Sequence, residues 1–212
     1  MPFPRQQLAV ALRPFLPASY ALTHRWRRVA GGRTGIATCF LWAVGEATVW
    51  PVIPDVALFL LVLAAPRRAP WLLVATVAGA TVGGAITLFA ASIAPDSALQ
   101  AVLHVPLVHA RSVSTVQTYL RAHSLIQAFF YQPWSGIPFK LWAVLAVVGG
   151  HQPLTVIPFF VIGRTLRFAA AAVLAASFGL LLNRRLADIA LPMILVCGPS
   201  AAYLFYAIAI AG

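Results

Sequence analysis

The chain has 212 residues, of which 61% are hydrophobic and 9% are charged, whereas soluble domains are about half apolar and a quarter charged. This composition excludes an ordinary soluble domain and leaves room for one membrane domain of a few spans. The formal net charge is +11, but the basic residues lie mostly at the ends of apolar segments, where they set topology and meet anionic lipid headgroups. We therefore expect membrane lipids, and not nucleic acid, as partners.

Residues 1–34 form a basic N-terminal segment in which six arginines are interleaved with aromatic and aliphatic residues. This pattern is typical of a helix that lies on an anionic membrane surface. Pro14 and Pro17 interrupt the apolar run that a cleaved signal peptide would need. We expect the segment to be retained, with the N-terminus in the cytoplasm, because arginines accumulate on that side of a membrane.

Residues 35–65 are apolar apart from Glu46 and Asp55, and Pro51 and Pro54 fall near the middle. Proline breaks a helix, and each half of about 15 residues would extend about 22 Å, less than a hydrocarbon core of about 30 Å. The segment therefore predicts a re-entrant helical hairpin that enters and leaves by one face. Because non-helical backbone at this depth must be covered by protein or water, we expect the hairpin tip to line a cavity.

Residues 70–93 are an uncharged apolar run that is long enough to cross a membrane. Gly79 and Gly83 lie within it on a small-residue face suited to close helix packing, which also leaves a homo-oligomer possible. Residues 94–122 are the most polar internal stretch, and their apolar positions recur at helical spacing. We expect one or two amphipathic helices at the membrane interface there.

Residues 123–150 repeat the pattern of the first hairpin, with apolar flanks around a broken middle. The expected hairpin breakers are Pro133, Gly136 and Pro138. Lys140, the chain's only lysine, follows the break. A second re-entrant hairpin is therefore predicted.

Residues 154–182 are predicted to form a second span, in which Arg164 and Arg167 are three apart and so lie on one helix face. Residues 183–212 are predicted to form a C-terminal transmembrane helix. The predicted fold class is thus an all-α integral membrane protein in which residues 35–182 contain two repeats, each a re-entrant hairpin followed by a transmembrane helix. One crossing separates the hairpins, so they enter from opposite faces, as in the inverted repeats of transporters.

The apolar segments contain five ionisable residues that we predict to be the proton- or substrate-binding site. These are Glu46, Asp55, Lys140, Arg164 and Arg167. An unpaired charge in hydrocarbon costs about 3 kcal/mol on insertion scales, so the five must compensate one another or bind something. One interpretation is a structural ion-pair cluster. The other is that the basic groups receive an anionic headgroup, for which Arg and Lys are suited, while the two carboxylates carry protons.

Three motifs resemble the DedA-like family, also called the SNARE-associated or VTT domain family. They are Glu-x8-Asp with Pro-x-x-Pro ending just before the aspartate, Gly136-Ile137-Pro138-Phe139-Lys140, and Gly163-Arg164-Thr165-Leu166-Arg167-Phe168. The resemblance covers residues 35–182 and implies two opposed re-entrant hairpins in a bacterial inner membrane protein. It also implies movement of phospholipid or undecaprenyl phosphate across the bilayer, dependent on the proton gradient. The family's acidic pair would fall on Glu46 and Asp55, and its basic positions on Lys140, where members often carry arginine, on Arg164 and on Arg167.

Two other function classes remain open at this stage. One is a non-transporting membrane assembly or homeostasis factor whose charge cluster is structural. The other is an intramembrane enzyme that uses Ser135 and His151, although a serine in a Pro/Gly-rich stretch is more simply explained by turn formation. We favour a lipid transporter that is not an enzyme and needs no cofactor or metal.

Overall fold

The computed structural model describes residues 16–48, 54–105 and 108–181, which are almost entirely helical and contain no strand. The helices are α1 (Leu16–Gly31), α2 (Arg33–Thr48), α3 (Pro54–Ala64), α4 (Ala69–Ile93), α5 (Pro95–Leu103), α6 (Ala110–Ala122), α7 (Leu125–Tyr131), α8 (Phe139–Val148) and α9 (Pro153–Leu181), with short 3₁₀ helices at Pro66–Arg68 and Gln132–Trp134. The prediction of an all-α fold is confirmed. Pro51, the start of the basic segment and the predicted C-terminal transmembrane helix lie outside the described residues.

Two helices of the described chain are long and apolar enough to cross a membrane, by length and composition. They are Pro66–Ile93, with 28 residues, and Pro153–Leu181, with 29 residues. At 1.5 Å per residue each is about 42 Å or more in length, which exceeds a hydrocarbon core of about 30 Å. They coincide with the two predicted spans. In contrast, α3 and α8 are apolar but only about 15 Å long.

Apolar side chains are exposed in stripes along the outer faces of α4 and α9. On α4 the stripe includes Val74, Val82, Ile86 and Phe89, and on α9 it includes Ile162, Leu166, Val173 and Leu174. Apart from the neighbours Val173 and Leu174, successive positions are three, four, seven or eight residues apart, which is the spacing of one helix face. Such continuous exposed apolar surface is typical of a membrane or interaction surface.

The closest helix crossing in the first half lies between α2 and α4. A Cβ atom at Gly79 would collide with the backbone carbonyl of Phe40, and one at Gly83 would collide with that of Val44. Both glycines therefore serve packing within the chain. The Thr87 hydroxyl extends this contact by donating a hydrogen bond to the Ala47 carbonyl at 2.6 Å.

The two halves of the chain pack reciprocally. The first arm of each hairpin lies on the long helix of its own half, since α2 contacts α4 and α7 contacts α9. The second arm of each crosses to the long helix of the other half, since α3 contacts α9 and α8 contacts α4. The long helices α4 and α9 also contact each other. Helices α3 and α8 therefore pack on the same pair of long helices, each on the one that belongs to the other half.

Candidate functional site

The most buried part of the site is an ion pair between α2 and α9. Glu46 lies in the last turn of α2, and Arg164 lies in the first half of α9. The Arg164 Nη1 atom donates to Glu46 Oε2 at 2.6 Å, and Nη2 donates to Oε1 at 3.0 Å. The two side chains are only 8% and 12% exposed. This two-pronged geometry is the strongest form of an arginine–carboxylate pair.

Aromatic rings and a glycine fix the position of Arg164. Its guanidinium carbon lies 4.7 Å from the centroid of the Phe139 ring and 5.7 Å from that of Phe168. The preceding residue, Gly163, packs against the Phe129 carbonyl so closely that a Cβ atom has no room. Helix α9 therefore approaches the second hairpin at this turn, and cation–π contacts add to the ion pair.

A second ion pair lies one turn further along α9. The Arg167 Nε atom donates to Asp55 Oδ1 at 3.0 Å, and Arg167 Nη2 lies 3.0 Å from Asp55 Oδ2. The remaining Nη1 atom donates to the backbone carbonyl of Pro133 at 2.8 Å. One guanidinium thus connects α9 to the second arm of the first hairpin and to the turn of the second hairpin.

Asp55 and Arg167 are more accessible than the first pair. The Arg167 side chain is 33% exposed and that of Asp55 is 20% exposed. Asp55 lies in the first turn of α3, where the helix macrodipole favours a negative charge. The carboxylate is therefore stabilised from two sides while the pair remains open to the surroundings.

Lys140 completes the central charge cluster, the name used below for Glu46, Asp55, Lys140, Arg164 and Arg167. The residue is 2% exposed and lies in the first turn of α8, where the macrodipole disfavours a cation. It interacts electrostatically with Glu46, which favours its charge, and with Arg164, which opposes it. The structure thus links the predicted site residues through two ion pairs and this electrostatic contact.

The predicted breakers Pro133, Gly136 and Pro138 form a compact turn in the second hairpin. Pro133 lies in the 3₁₀ helix, Gly136 has a left-handed φ of 71°, and Pro138 directly precedes α8. The Ser135 hydroxyl donates to the Gln132 carbonyl at 2.8 Å and accepts from the Ile137 amide at 3.2 Å. Both hydrogen bonds lie within the turn, so the Ser135 hydroxyl stabilises the turn. His151 follows the far end of α8, about 15 Å along the helix, which separates it from Ser135.

Sequence reasoning missed three participants in this site. The Pro133 carbonyl is a hydrogen-bond acceptor for Arg167, Phe139 lies under Arg164, and Thr87 joins α4 to α2. A signal for one of them was present in the sequence. Thr87 follows Gly83 by four residues, as Arg167 follows Gly163, so comparing the two spans position by position would have singled it out.

Comparison with known proteins gives no match. No protein-family model matches the chain, and no curated protein and no solved structure is significantly similar to it. Fold and site together define a class: the described part of the chain is all-helical, with two helices long enough to cross a membrane and a charge cluster that contains one buried and one partly exposed ion pair.

Proposed function

We propose that the protein moves an anionic membrane lipid, a phospholipid or a polyprenyl phosphate, across the bilayer together with a proton carried by Asp55. The observation that carries this proposal is the partly exposed Arg167 guanidinium, which contacts elements of both hairpins and the second long helix. Membership of the DedA-like family, suggested by the sequence motifs, is part of the same proposal. So is a multi-pass location in a bacterial inner membrane.

The reciprocal packing of the two halves supports an inverted-repeat topology. The second arm of each hairpin packs on the long helix of the other half, as expected of two halves with equivalent folds. The short apolar helices α3 and α8 are too short to cross alone, which supports re-entrant hairpins. In transporters of this type, substrate and coupling ions bind between the broken helices near the middle of the membrane.

The Asp55–Arg167 pair has the chemistry of an exchangeable anion site. The same guanidinium edge that holds a carboxylate with two hydrogen bonds also holds a phosphate with two. A headgroup phosphate that replaced Asp55 would leave the carboxylate without its partner. An unpaired charge in hydrocarbon costs about 3 kcal/mol. Protonation of Asp55 would remove the negative charge of the unpaired carboxylate and so avoid this cost. Lipid binding and proton uptake are then linked by charge balance.

The overall charge of the cluster favours an anion. Its three cationic and two anionic side chains sum to +1 when all are ionised. A bound phosphate reduces this charge, also when Asp55 is protonated and the sum is +2, whereas a cationic ligand would increase an already uncompensated charge. Glu46 and Arg164, which are buried and fully paired, would act as the fixed support of the site.

A specific observation favours a second candidate, the non-transporting assembly factor. Both arginines already have carboxylate partners within the chain, so neither arginine needs a ligand to balance its charge. In this case the ion pairs would only lock the two halves together. Buried ion pairs contribute little stability relative to apolar packing, which is why we prefer a ligand-binding role for the more exposed pair.

The test is lipid movement by the purified protein in liposomes. Fluorescent phospholipid and polyprenyl phosphate are assayed separately, with and without an imposed pH gradient. We expect Asp55→Asn and Arg167→Gln to abolish movement while both proteins remain folded and inserted. Asp96→Asn and Arg111→Gln are matched controls, because both residues are exposed and lie outside the cluster, and they should behave as wild type.

The two candidates give different outcomes. If wild type moves a lipid and only the cluster variants fail, the transport proposal is supported and the lipid that moves gives the substrate class. Should wild type move neither lipid, or should Asp55→Asn and Arg167→Gln transport normally, the structural role is correct and the transport proposal is rejected.

A further inference from the structure

A second polar site lies at the other end of α8 from the central charge cluster. It is a cavity of about 270 Å³ between α6 and the C-terminal end of α8. Its polar lining consists of Gln117, Arg121 and His151, and its apolar lining includes Leu120 and Val148. A water molecule takes about 30 Å³ in the liquid, so the cavity has room for a group much larger than one water. Neither the charge cluster nor the proposed transport step uses this space.

The polar side chains of the cavity are hydrogen-bond donors without partners. Gln117 and Arg121 are four residues apart on α6 and so lie on one face, and His151 faces them from the end of the second hairpin. In the described part of the chain, none of the three side chains has a hydrogen-bond or ion-pair partner. A guanidinium carries five N–H donors, an amide two and an imidazole at least one. None of the residues that line the cavity is acidic.

Three backbone carbonyls near the cavity already accept hydrogen bonds. At the end of α8 the Gly149 amide donates to the Leu145 carbonyl at 2.9 Å. The Gly150 amide donates to Val147 at 2.9 Å, and the His151 amide donates to Ala146 at 3.1 Å. With these carbonyls occupied and no acidic residue in the lining, the side-chain donors of the cavity favour an anion.

The position of the cavity favours a lipid as the source of that anion. It lies where α8 ends and α9 begins, and if α9 crosses a membrane this end is at the membrane surface. Leu120 and Val148 then provide apolar walls beside the donors. A headgroup phosphate has this combination of a charged group next to hydrocarbon, and arginine is well suited to bind it.

We propose that this cavity binds a phosphate group, with Arg121, His151 and Gln117 as its donors, and that the group belongs to a membrane lipid. The site is about 13 Å along α8 from Lys140, so it is separate from the central charge cluster. It does not depend on lipid translocation. A protein that moves no lipid could still hold one here.

Native mass spectrometry of the full-length protein in detergent measures this binding directly. Phosphatidylglycerol and diacylglycerol with the same acyl chains are titrated separately, and inorganic phosphate is added as a competitor. All proteins carry Arg167→Gln, so that lipid held by the proposed transport site does not contribute. We expect phosphatidylglycerol to bind and diacylglycerol to bind at least 10-fold more weakly, since a charge-assisted hydrogen bond is worth about a factor of 10 or more.

Arg111→Gln is the matched control for Arg121→Gln. Both residues are exposed arginines on α6, but only Arg121 lines the cavity. We expect Arg121→Gln to weaken phosphatidylglycerol binding about 10-fold or more and Arg111→Gln to change it less than twofold. His151→Gln serves as a second variant, independent of α6, and should also weaken binding.

The outcomes distinguish a lipid phosphate from free phosphate as the occupant, and both of these from the absence of a phosphate site. One outcome is that millimolar inorganic phosphate displaces phosphatidylglycerol from the parent protein and not from Arg121→Gln. This result supports the phosphate site and shows that free phosphate also occupies it. Binding of phosphatidylglycerol without such competition supports the lipid as the source. Equal effects of Arg121→Gln and Arg111→Gln, or equal binding of diacylglycerol and phosphatidylglycerol, would overturn the proposal. Because the transport assay is separate, failure of either proposal leaves the other testable.

Discussion

Thr87 and Arg167 make similar contacts at two separate helix crossings. Each follows, by four residues, a glycine packed against a backbone carbonyl of the neighbouring hairpin arm. Each then donates a hydrogen bond to a carbonyl at the end of that arm, Thr87 to Ala47 at 2.6 Å and Arg167 to Pro133 at 2.8 Å. Both crossings therefore combine a packed glycine with a hydrogen bond four residues later, but only the crossing at Arg167 has a charged donor.

Loss of the Thr87 hydroxyl is expected to loosen the α2–α4 crossing. Thr87→Val removes the donor to Ala47 and should lower the free energy of unfolding by about 1 kcal/mol. Thr81→Val is the control, because that hydroxyl bonds only to Val77 in its own helix. Thermal unfolding in detergent compares the two variants. Equal midpoints for both would mean that the interhelical hydrogen bond contributes nothing.

Arg167→Lys tests whether the shape of the guanidinium matters as well as its charge. A lysine ammonium is a point charge that lacks the planar fork of arginine, so it would not hold both oxygens of Asp55 and the Pro133 carbonyl in the same way. We expect lipid movement in liposomes to fall about 10-fold or more with insertion unchanged. Normal transport by Arg167→Lys would show that charge alone suffices and that the two-pronged contact is dispensable.

Gly163→Ala is expected to separate α9 from the second hairpin. A Cβ atom at this position would collide with the Phe129 carbonyl, and overpacking of this kind typically costs about 1 to 3 kcal/mol. Gly31→Ala is the matched control, since a Cβ atom there meets nothing within 4 Å. Unfolding midpoints in detergent should fall for Gly163→Ala only. A midpoint equal to that of wild type would mean that the crossing relaxes without loss.

The Glu46–Arg164 pair should behave as a coupled unit. Glu46→Gln leaves a buried guanidinium without its charge partner, and breaking a buried pair costs about 3 to 5 kcal/mol. The double variant Glu46→Gln/Arg164→Gln removes both charges and should be less destabilised than the sum of the single variants. Additive losses in a thermal-unfolding cycle would show that the two side chains act independently.

Cysteine labelling tests the proposed topology. In a variant lacking the native cysteines, single cysteines at Thr34 and Arg68 flank the first hairpin, and those at Ser97 and Gln152 flank the second; all four positions are exposed. For re-entrant hairpins separated by one crossing, a membrane-impermeant reagent should reach the first two from the cytoplasm and the last two from outside. Labelling of Thr34 and Arg68 from opposite faces would mean that the first hairpin crosses the membrane.

The sequence by itself determined the local structure of this protein. Apolar runs of more than 20 residues, uncharged in α4 and interrupted only by Arg164 and Arg167 in α9, predicted these long helices, because apolar length alone decides whether a helix is long enough for a bilayer. The break around Pro133 and Gly136 was evident for the same local reason, since proline and glycine restrict or release the backbone wherever they occur. The five ionisable residues in the apolar segments were likewise conspicuous, because charges are rare in such segments.

The pairing of those residues was decided only by the tertiary structure. Glu46 and Arg164 are 118 residues apart, and Asp55 and Arg167 are 112 apart, so no local spacing relates them. Which acid meets which arginine depends on how α2, α3 and α9 cross. The different exposure of the two pairs follows from the same packing, because the burial of a charge is a property of its neighbours in space. The proposed division of roles, with the buried pair as support and the accessible pair as the exchangeable site, rests on that difference.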